Sequence, residues 1–189
     1  MASVCVYCGS NTGVELSFVE SMHELGQTIA DRGHRLVYGG GNVGLMRIVA
    51  DAAMAADGEV VGVMTEQLVR LEVAHTGLTE LEVEPSMHAR KARMAELSDG
   101  VIVAPGGFGT WEEAMEILTW NQLGLVSIPV VFLDIGGFYQ HLFELFDAAN
   151  AAGFVSDHNR ALALRATDAA EAVELATGPT PRYEPKWVD

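Results

Sequence analysis

Two adjacent glutamates, Glu112 and Glu113, follow the run Pro105-Gly106-Gly107-Phe108-Gly109-Thr110-Trp111. The apolar stretch Val101-Ile102-Val103-Ala104 leads into this run, and a helical pattern from Trp111 to about Leu123 leads out. Strand, glycine-rich turn and helix start make a cradle for an anion. Free backbone N–H groups and the positive end of the helix dipole converge there. A carboxylate beside such a cradle points to chemistry on a phosphorylated small molecule.

The two glutamates separate by spacing. Thr110 and Glu113 form T-x-x-E, the capping-box pattern, which gives Glu113 a structural job. Glu112 has no such partner. With Glu116 and Thr119 it recurs at i, i+4 and i+7, so the three share one helix face. That face is either solvated or holds ribose hydroxyls.

Cations are scarce. The 189 residues include 26 acidic and 11 basic ones, a net charge of −15. Such a field repels nucleic acid and anionic lipid, so neither is expected as a partner. A small anion needs a local basic cluster. Arg90, Lys91 and Arg93 supply it in Met87-His88-Ala89-Arg90-Lys91-Ala92-Arg93. His88 lies roughly 200° around the helix from Arg90.

Cys5 and Cys8 form C-x-x-C, but residues three apart in a strand face opposite sides. Free buried thiols and a cytoplasmic setting are expected, with no metal site. No apolar run approaches the roughly 18–20 residues that span a bilayer.

The elements that must position these residues follow from the pattern. Val- and Ile-rich runs at 4–8, 35–38, 60–64, 80–83, 101–104 and 130–133 read as strands, with a short late one near 161–164. Helical patterns cover 16–32, 45–56, 88–97, 111–123, 138–152 and 169–176. Strands apolar throughout, alternating with helices, predict an α/β fold: a Rossmann-like, doubly wound, mostly parallel sheet with helices on both faces. One domain is expected over 1–178, with an irregular tail over 179–189 that carries three prolines. Met115, Leu118 and Gln122 read as core or subunit interface.

Ligands in such sheets sit beyond the carboxyl ends of the strands. Three small-residue turns fall there: Cys8-Gly9-Ser10-Asn11, Gly39-Gly40-Gly41-Asn42-Val43-Gly44 and the turn at 105–112. Gly39-x-Gly41-x-x-Gly44 matches the dinucleotide fingerprint formally. It follows the second strand rather than the first, and the nearest acidic candidate is Glu66, so a dinucleotide is not expected. No Lys-Ser/Thr follows the glycines, which excludes the Walker form.

Taken in order, Cys8-Gly9-Ser10, Gly39-Gly40-Gly41-x-x-Gly44-Leu45-Met46, Glu72-Val73-Ala74-His75, Met87-His88-x-Arg90-Lys91, Pro105-Gly106-Gly107-x-Gly109-Thr110-x-Glu112-Glu113 and Thr119-Trp120-x-Gln122-Leu123-Gly124 carry a resemblance. From about Val4 to Phe146 the chain resembles the LOG ("lonely guy") family of cytokinin-activating phosphoribohydrolases, whose members are often labelled lysine decarboxylases. The resemblance implies hydrolysis of the N-glycosidic bond of AMP or an N6-modified AMP. The products are free base and ribose 5-phosphate. It implies no metal or organic cofactor and a homodimer. Arg90 and Glu112 fall on the catalytic pair, and Gly106, Gly107, Gly109 and Thr110 on the phosphate loop. Glu72, Lys91 and Thr119 fall on positions lining the nucleotide. Ser10, Gly40, Gly41 and Glu116 complete the expected substrate site.

Three positions depart from the family pattern: Arg47 replaces Gly after Leu45-Met46, Asn11 replaces Ser, and Trp111 replaces Leu. Glu112 is the expected stabiliser of positive charge on the ribose, with Glu116 in reserve. Arg90 is read as an orienting cation, since a guanidinium stays protonated. Two other readings compete. A non-catalytic nucleotide carrier would use the same loops but gains nothing from an anion beside the phosphate. A decarboxylase would need a Schiff-base lysine, and only Lys91 and Lys186 exist.

Overall fold

In the computed structural model, residues 1–71, 73–179 and 182 are described. Seven strands form one sheet: β1 (Ser3–Tyr7), β2 (Arg35–Tyr38), β3 (Val60–Thr65), β4 (Glu80–Glu84), β5 (Gly100–Val103), β6 (Val130–Leu133) and β7 (Ala163–Ala166). The order is β4-β3-β2-β1-β5-β6-β7, and every neighbouring pair is parallel. The doubly wound reading of the sequence therefore holds. Strand order reverses direction between β1 and β5, where Val6 sits opposite Ile102. A crevice opens at such a switch point.

The helices are α1 (Leu16–Asp31), α2 (Gly44–Ala55), α3 (Glu66–Arg70), α4 (Met87–Glu96), α5 (Phe108–Gln122), α6 (Gln140–Ala151), α7 (Asp157–Arg160) and α8 (Ala169–Ala176). Apolar stripes put α1, α2 and α8 on one face. Met22, Leu25, Ile29, Val49 and Val173 pack there on Val4, Val6 and Ile102. The other face takes α4, α5 and α6 through Met94, Ala114, Ile117 and Phe143, which pack on Cys5, Val61 and Phe132. Side chains that alternate along each strand feed both cores, which is why the strands read as unbroken apolar runs.

Cys5 and Cys8 are buried free thiols on opposite faces of the sheet, as their spacing implied. Burial pushes the Cys5 thiol up to about 12 and Cys8 higher still, so neither is a nucleophile.

The structure differs from the sequence expectation at several boundaries. The last strand runs Ala163–Ala166, two residues later than expected. The short helices α3 and α7 and a 3-10 turn at Ile135–Gly137 lie where no helix was expected. One boundary matters for function: α5 begins at Phe108, three residues before Trp111. Most of the tail expected to be irregular, 179–189, lies outside the described residues.

Candidate active site

A cavity of about 270 Å³ opens beyond the carboxyl ends of β1 and β2. Gly9 and Ser10 enter it from β1, Gly39 from β2, Arg90 from α4, and Gly107, Gly109, Thr110 and Glu113 from the start of α5. Met46, Met87 and Met94 form apolar walls. The loops after β1 and β2 interlock. Gly44 adopts φ +54°, and a Cβ there would lie 2.2 Å from the Ser10 carbonyl carbon.

Arg90 is the centre of the site. It is buried, although α4 carries it near the surface. Its Nε donates to the Val63 carbonyl at 2.8 Å, Nη2 to the Gly39 carbonyl at 3.3 Å, and Nη1 to Glu113 Oε1 at 3.0 Å. Three of five guanidinium N–H groups are thereby fixed and two remain. Gly39 makes room for this: a Cβ would fall 2.3 Å from Arg90 Nη2. Burial raises the Glu113 carboxyl above its ordinary value, and the Arg90 charge and hydrogen bond offset only part of that rise.

The start of α5 faces the same cavity. Gly107 is its N-cap and offers no side-chain cap; the first helical bond runs from Trp111 N–H to the Gly107 carbonyl. The helix itself gives the N–H groups of Phe108, Gly109 and Thr110 no partner. No acidic side chain occupies that first turn. The open N–H groups and the helix dipole favour a phosphate-sized anion.

This geometry corrects the expectation for both glutamates. Because α5 starts early, Thr110 and Glu113 lie inside the helix and form no capping box. Glu113 turns inward beside Arg90, with a side chain 14% exposed. Glu112 is 58% exposed and bonds Lys91 instead, outside the cavity. The Lys91 ammonium also meets Glu116 Oε2 at 3.0 Å. Burial opposes its charge, but its hydrogen bonds to Glu112 and Glu116 outweigh burial and hold its pKa above the ordinary value.

The basic cluster is also corrected. Arg93 is spent on Glu82, at 2.6 and 3.0 Å, and on Glu96. Arg90 and Lys91 face three carboxylates between them. Attraction for an anion therefore rests on the α5 N–H groups and on Arg90's remaining donors, not on net positive charge.

The other expected site residues scatter. Ser10, Gly107, Gly109 and Thr110 line the cavity with Arg90. Gly106 lies behind the turn, on a second cavity of about 210 Å³ that it shares with Ser10, Phe18 and Phe138. Gly40 and Gly41 lie under the segment 73–77: His75 N–H bonds the Gly40 carbonyl, and Gly41 bridges Ala74. Thr119 is exposed and bonds the Met115 carbonyl of its own helix, well down α5 from the cavity. Glu72 lies outside the described residues. His88, Arg47 and Glu66 are exposed. Sequence reasoning missed Glu113, Gly39 and the three methionines. The signal for Glu113 was present: Thr110, Ala114, Ile117 and Asn121 form the buried stripe of α5, and Glu113 falls beside it.

Residues 46–176 match the family described as "Possible lysine decarboxylase". The chain is 39% identical over 181 residues to the rice (Oryza sativa subsp. japonica) cytokinin riboside 5'-monophosphate phosphoribohydrolase LOG, covering 96% of this chain and 75% of that protein. It is 38% identical over 181 residues to the Arabidopsis thaliana enzyme LOG1, covering 96% and 85%. Among solved structures, the molybdenum cofactor binding protein of Rippkaea orientalis superposes with a TM-score of 0.68 over 92% of this chain and 94% of that one. At 24% identity, that likeness concerns the fold alone. The relatives' identity and coverage, together with the matched family segment, place this chain in the LOG family of cytokinin riboside 5'-monophosphate phosphoribohydrolases.

Proposed function

We propose that this protein hydrolyses the N-glycosidic bond of an N6-substituted adenosine 5'-monophosphate, releasing the free base and ribose 5-phosphate. The observation that carries this reading is the Arg90–Glu113 pair set 3.0 Å apart in a cavity floored by an uncapped helix start. The names of the relatives give the substrate class.

The 5'-phosphate sits on the open N–H groups at Gly107–Thr110, which anchors the ribose over Glu113. As the C1'–N9 bond breaks, its electron pair leaves with the purine and positive charge builds on C1' and the ring oxygen. The Glu113 carboxylate stabilises that charge and takes a proton from the attacking water. The water oxygen ends on C1' and, in the balance, one proton ends on the base. Arg90 opposes the rise that burial imposes on the Glu113 carboxyl and offers its remaining N–H groups to the substrate.

The decarboxylase reading is disfavoured by the state of Lys91. Its ammonium is held charged by two carboxylates, the opposite of the free amine a Schiff base needs. A pure carrier is disfavoured by Glu113, because an anion beside a phosphate weakens its binding. The reading extends to a cytoplasmic homodimer. Among the described residues both thiols are free and no helix is long and apolar enough to cross a membrane. Phe108, Trp111, Leu123 and Leu125 are exposed along and just beyond α5, an apolar strip suited to a second copy.

The test is base release from AMP and from N6-isopentenyl-AMP, followed by chromatography, for the native protein and Glu113→Gln. Release that falls by ~10²–10³ in the variant supports the proposal. Undiminished release in the variant overturns the role of Glu113. Tight AMP binding without release by the native protein restores the carrier reading.

A further inference from the structure

We propose that His75, held by Asp51, is a positioning residue for the nucleotide site: it straps the segment 73–77 across the glycine loop that seats Arg90. The inference rests on the proposed use of that site for a nucleotide.

Two backbone hydrogen bonds stitch the strap to the loop and together make the antiparallel bridge between Gly41 and Ala74. Asn42 N–H donates to the Val73 carbonyl at 2.8 Å, and His75 N–H donates to the Gly40 carbonyl at 2.9 Å. The neighbouring Gly39 carbonyl is the one that accepts from Arg90. Displacement of the strap is therefore felt one residue from the guanidinium.

The imidazole locks the strap. His75 is buried. Its Nδ1 accepts from Gly77 N–H at 3.1 Å, so the ring proton resides on Nε2, which donates to Asp51 Oδ1 at 3.0 Å. Asp51 stands on α2, the helix that the glycine loop enters, and its side chain is 55% exposed. One imidazole thus ties the strap to itself and to the helix beyond the loop. Neither Asp51 nor His75 lines the cavity, so each acts through the segments it holds.

A buried, satisfied histidine can also serve stability alone, and the experiment separates the two roles. Asp51→Ala removes the acceptor at a half-exposed helix position where alanine is the best helix former. Asp51→Asn keeps an oxygen for the Nε2 proton. KM and kcat for base release from AMP are measured in the full-length protein, with the melting temperature. The expected result is a rise in KM of about tenfold for Asp51→Ala, the scale of one lost charge-assisted hydrogen bond. Asp51→Asn should restore KM to within about twofold. Unchanged KM in Asp51→Ala, or equal effects of Ala and Asn, would each overturn the proposal. Should the native protein release no base, the same variants are compared by calorimetric AMP affinity. That outcome would count against the reaction, while the affinities would still decide the strap.

Discussion

Arg90 Nη1 lies 3.0 Å from Glu113 Oε1, and only this carboxylate of the Glu112-Glu113 pair reaches the cavity. Successive helical residues point about 100° apart, and here the two glutamates face different partners. One serves the cavity and the other serves Lys91.

Replacing the glutamates singly should expose this division. Glu113→Gln should lose ~10²–10³ in kcat while AMP still binds. Glu112→Gln removes one contact from a half-exposed side chain, worth about 1 kcal/mol at most, and should cost less than about tenfold. Chromatographic base release at saturating AMP measures both. Equal losses would contradict the geometry.

Gly39→Ala should behave as an active-site mutation although its methyl group does no chemistry. Its Cβ would fall 2.3 Å from Arg90 Nη2 and must push the guanidinium off the Gly39 carbonyl. A displacement of about 1 Å costs on the order of 10²-fold in turnover. The measurement is kcat/KM for AMP; a value near that of the native protein would show that Arg90 has slack.

The pH dependence follows from Glu113. Its folded-state pKa lies above the ordinary value of 4.5 because it is buried. The proposed mechanism needs the carboxylate, so the acidic limb of kcat/KM should have its midpoint above 4.5. Stability runs the other way. Between the ordinary and the raised pKa the folded state binds more protons than the unfolded one, so this group's contribution falls as pH rises through that window. Denaturation across the same pH range should therefore show a downward slope in the native protein that is missing from Glu113→Gln. A shared slope would place the titration elsewhere.

Tyr139 anchors the glycine turn that follows β5. Its buried hydroxyl donates to the Ala104 carbonyl at 2.7 Å, directly before Pro105, and its own N–H bonds Asp134 Oδ1 at 2.7 Å. Tyr139→Phe leaves the Ala104 carbonyl unpaired and should cost about 1–2 kcal/mol. That corresponds to a melting temperature lower by roughly 2–8 °C, readable by calorimetry.

The sheet was legible because its central strands are covered on both faces. Runs such as Val60–Thr65 and Val130–Leu133 admit hardly any polar residue, and the alternation with helices then requires parallel pairing. Helices α3 and α7 were not legible, since four or five residues complete barely one turn and carry no period. The site was half legible. Arg90 and the glycine turn stood out by composition. Glu113 did not, because Gly107-Phe108-Gly109 reads as loop and the helix was started at Trp111. That shift turned an inward glutamate into an apparent cap. The strap at 73–77 depends on contacts between segments more than thirty residues apart, which no local pattern encodes.

The uncapped start of α5 leaves the fold unfinished in a way a ligand can complete. A bound phosphate would act as the missing N-cap, so occupancy and thermal stability become one quantity. Inorganic phosphate alone should raise the melting temperature, by the equivalent of about 2.7 kcal/mol at a hundred times its dissociation constant. Gly107 has open space around its Cβ position and extended backbone, so Gly107→Asp fits there and supplies a built-in cap. That variant should melt higher when empty and bind AMP worse. On the proposed reading, the native glycine leaves the helix start open to substrate at some cost in stability to the unliganded protein.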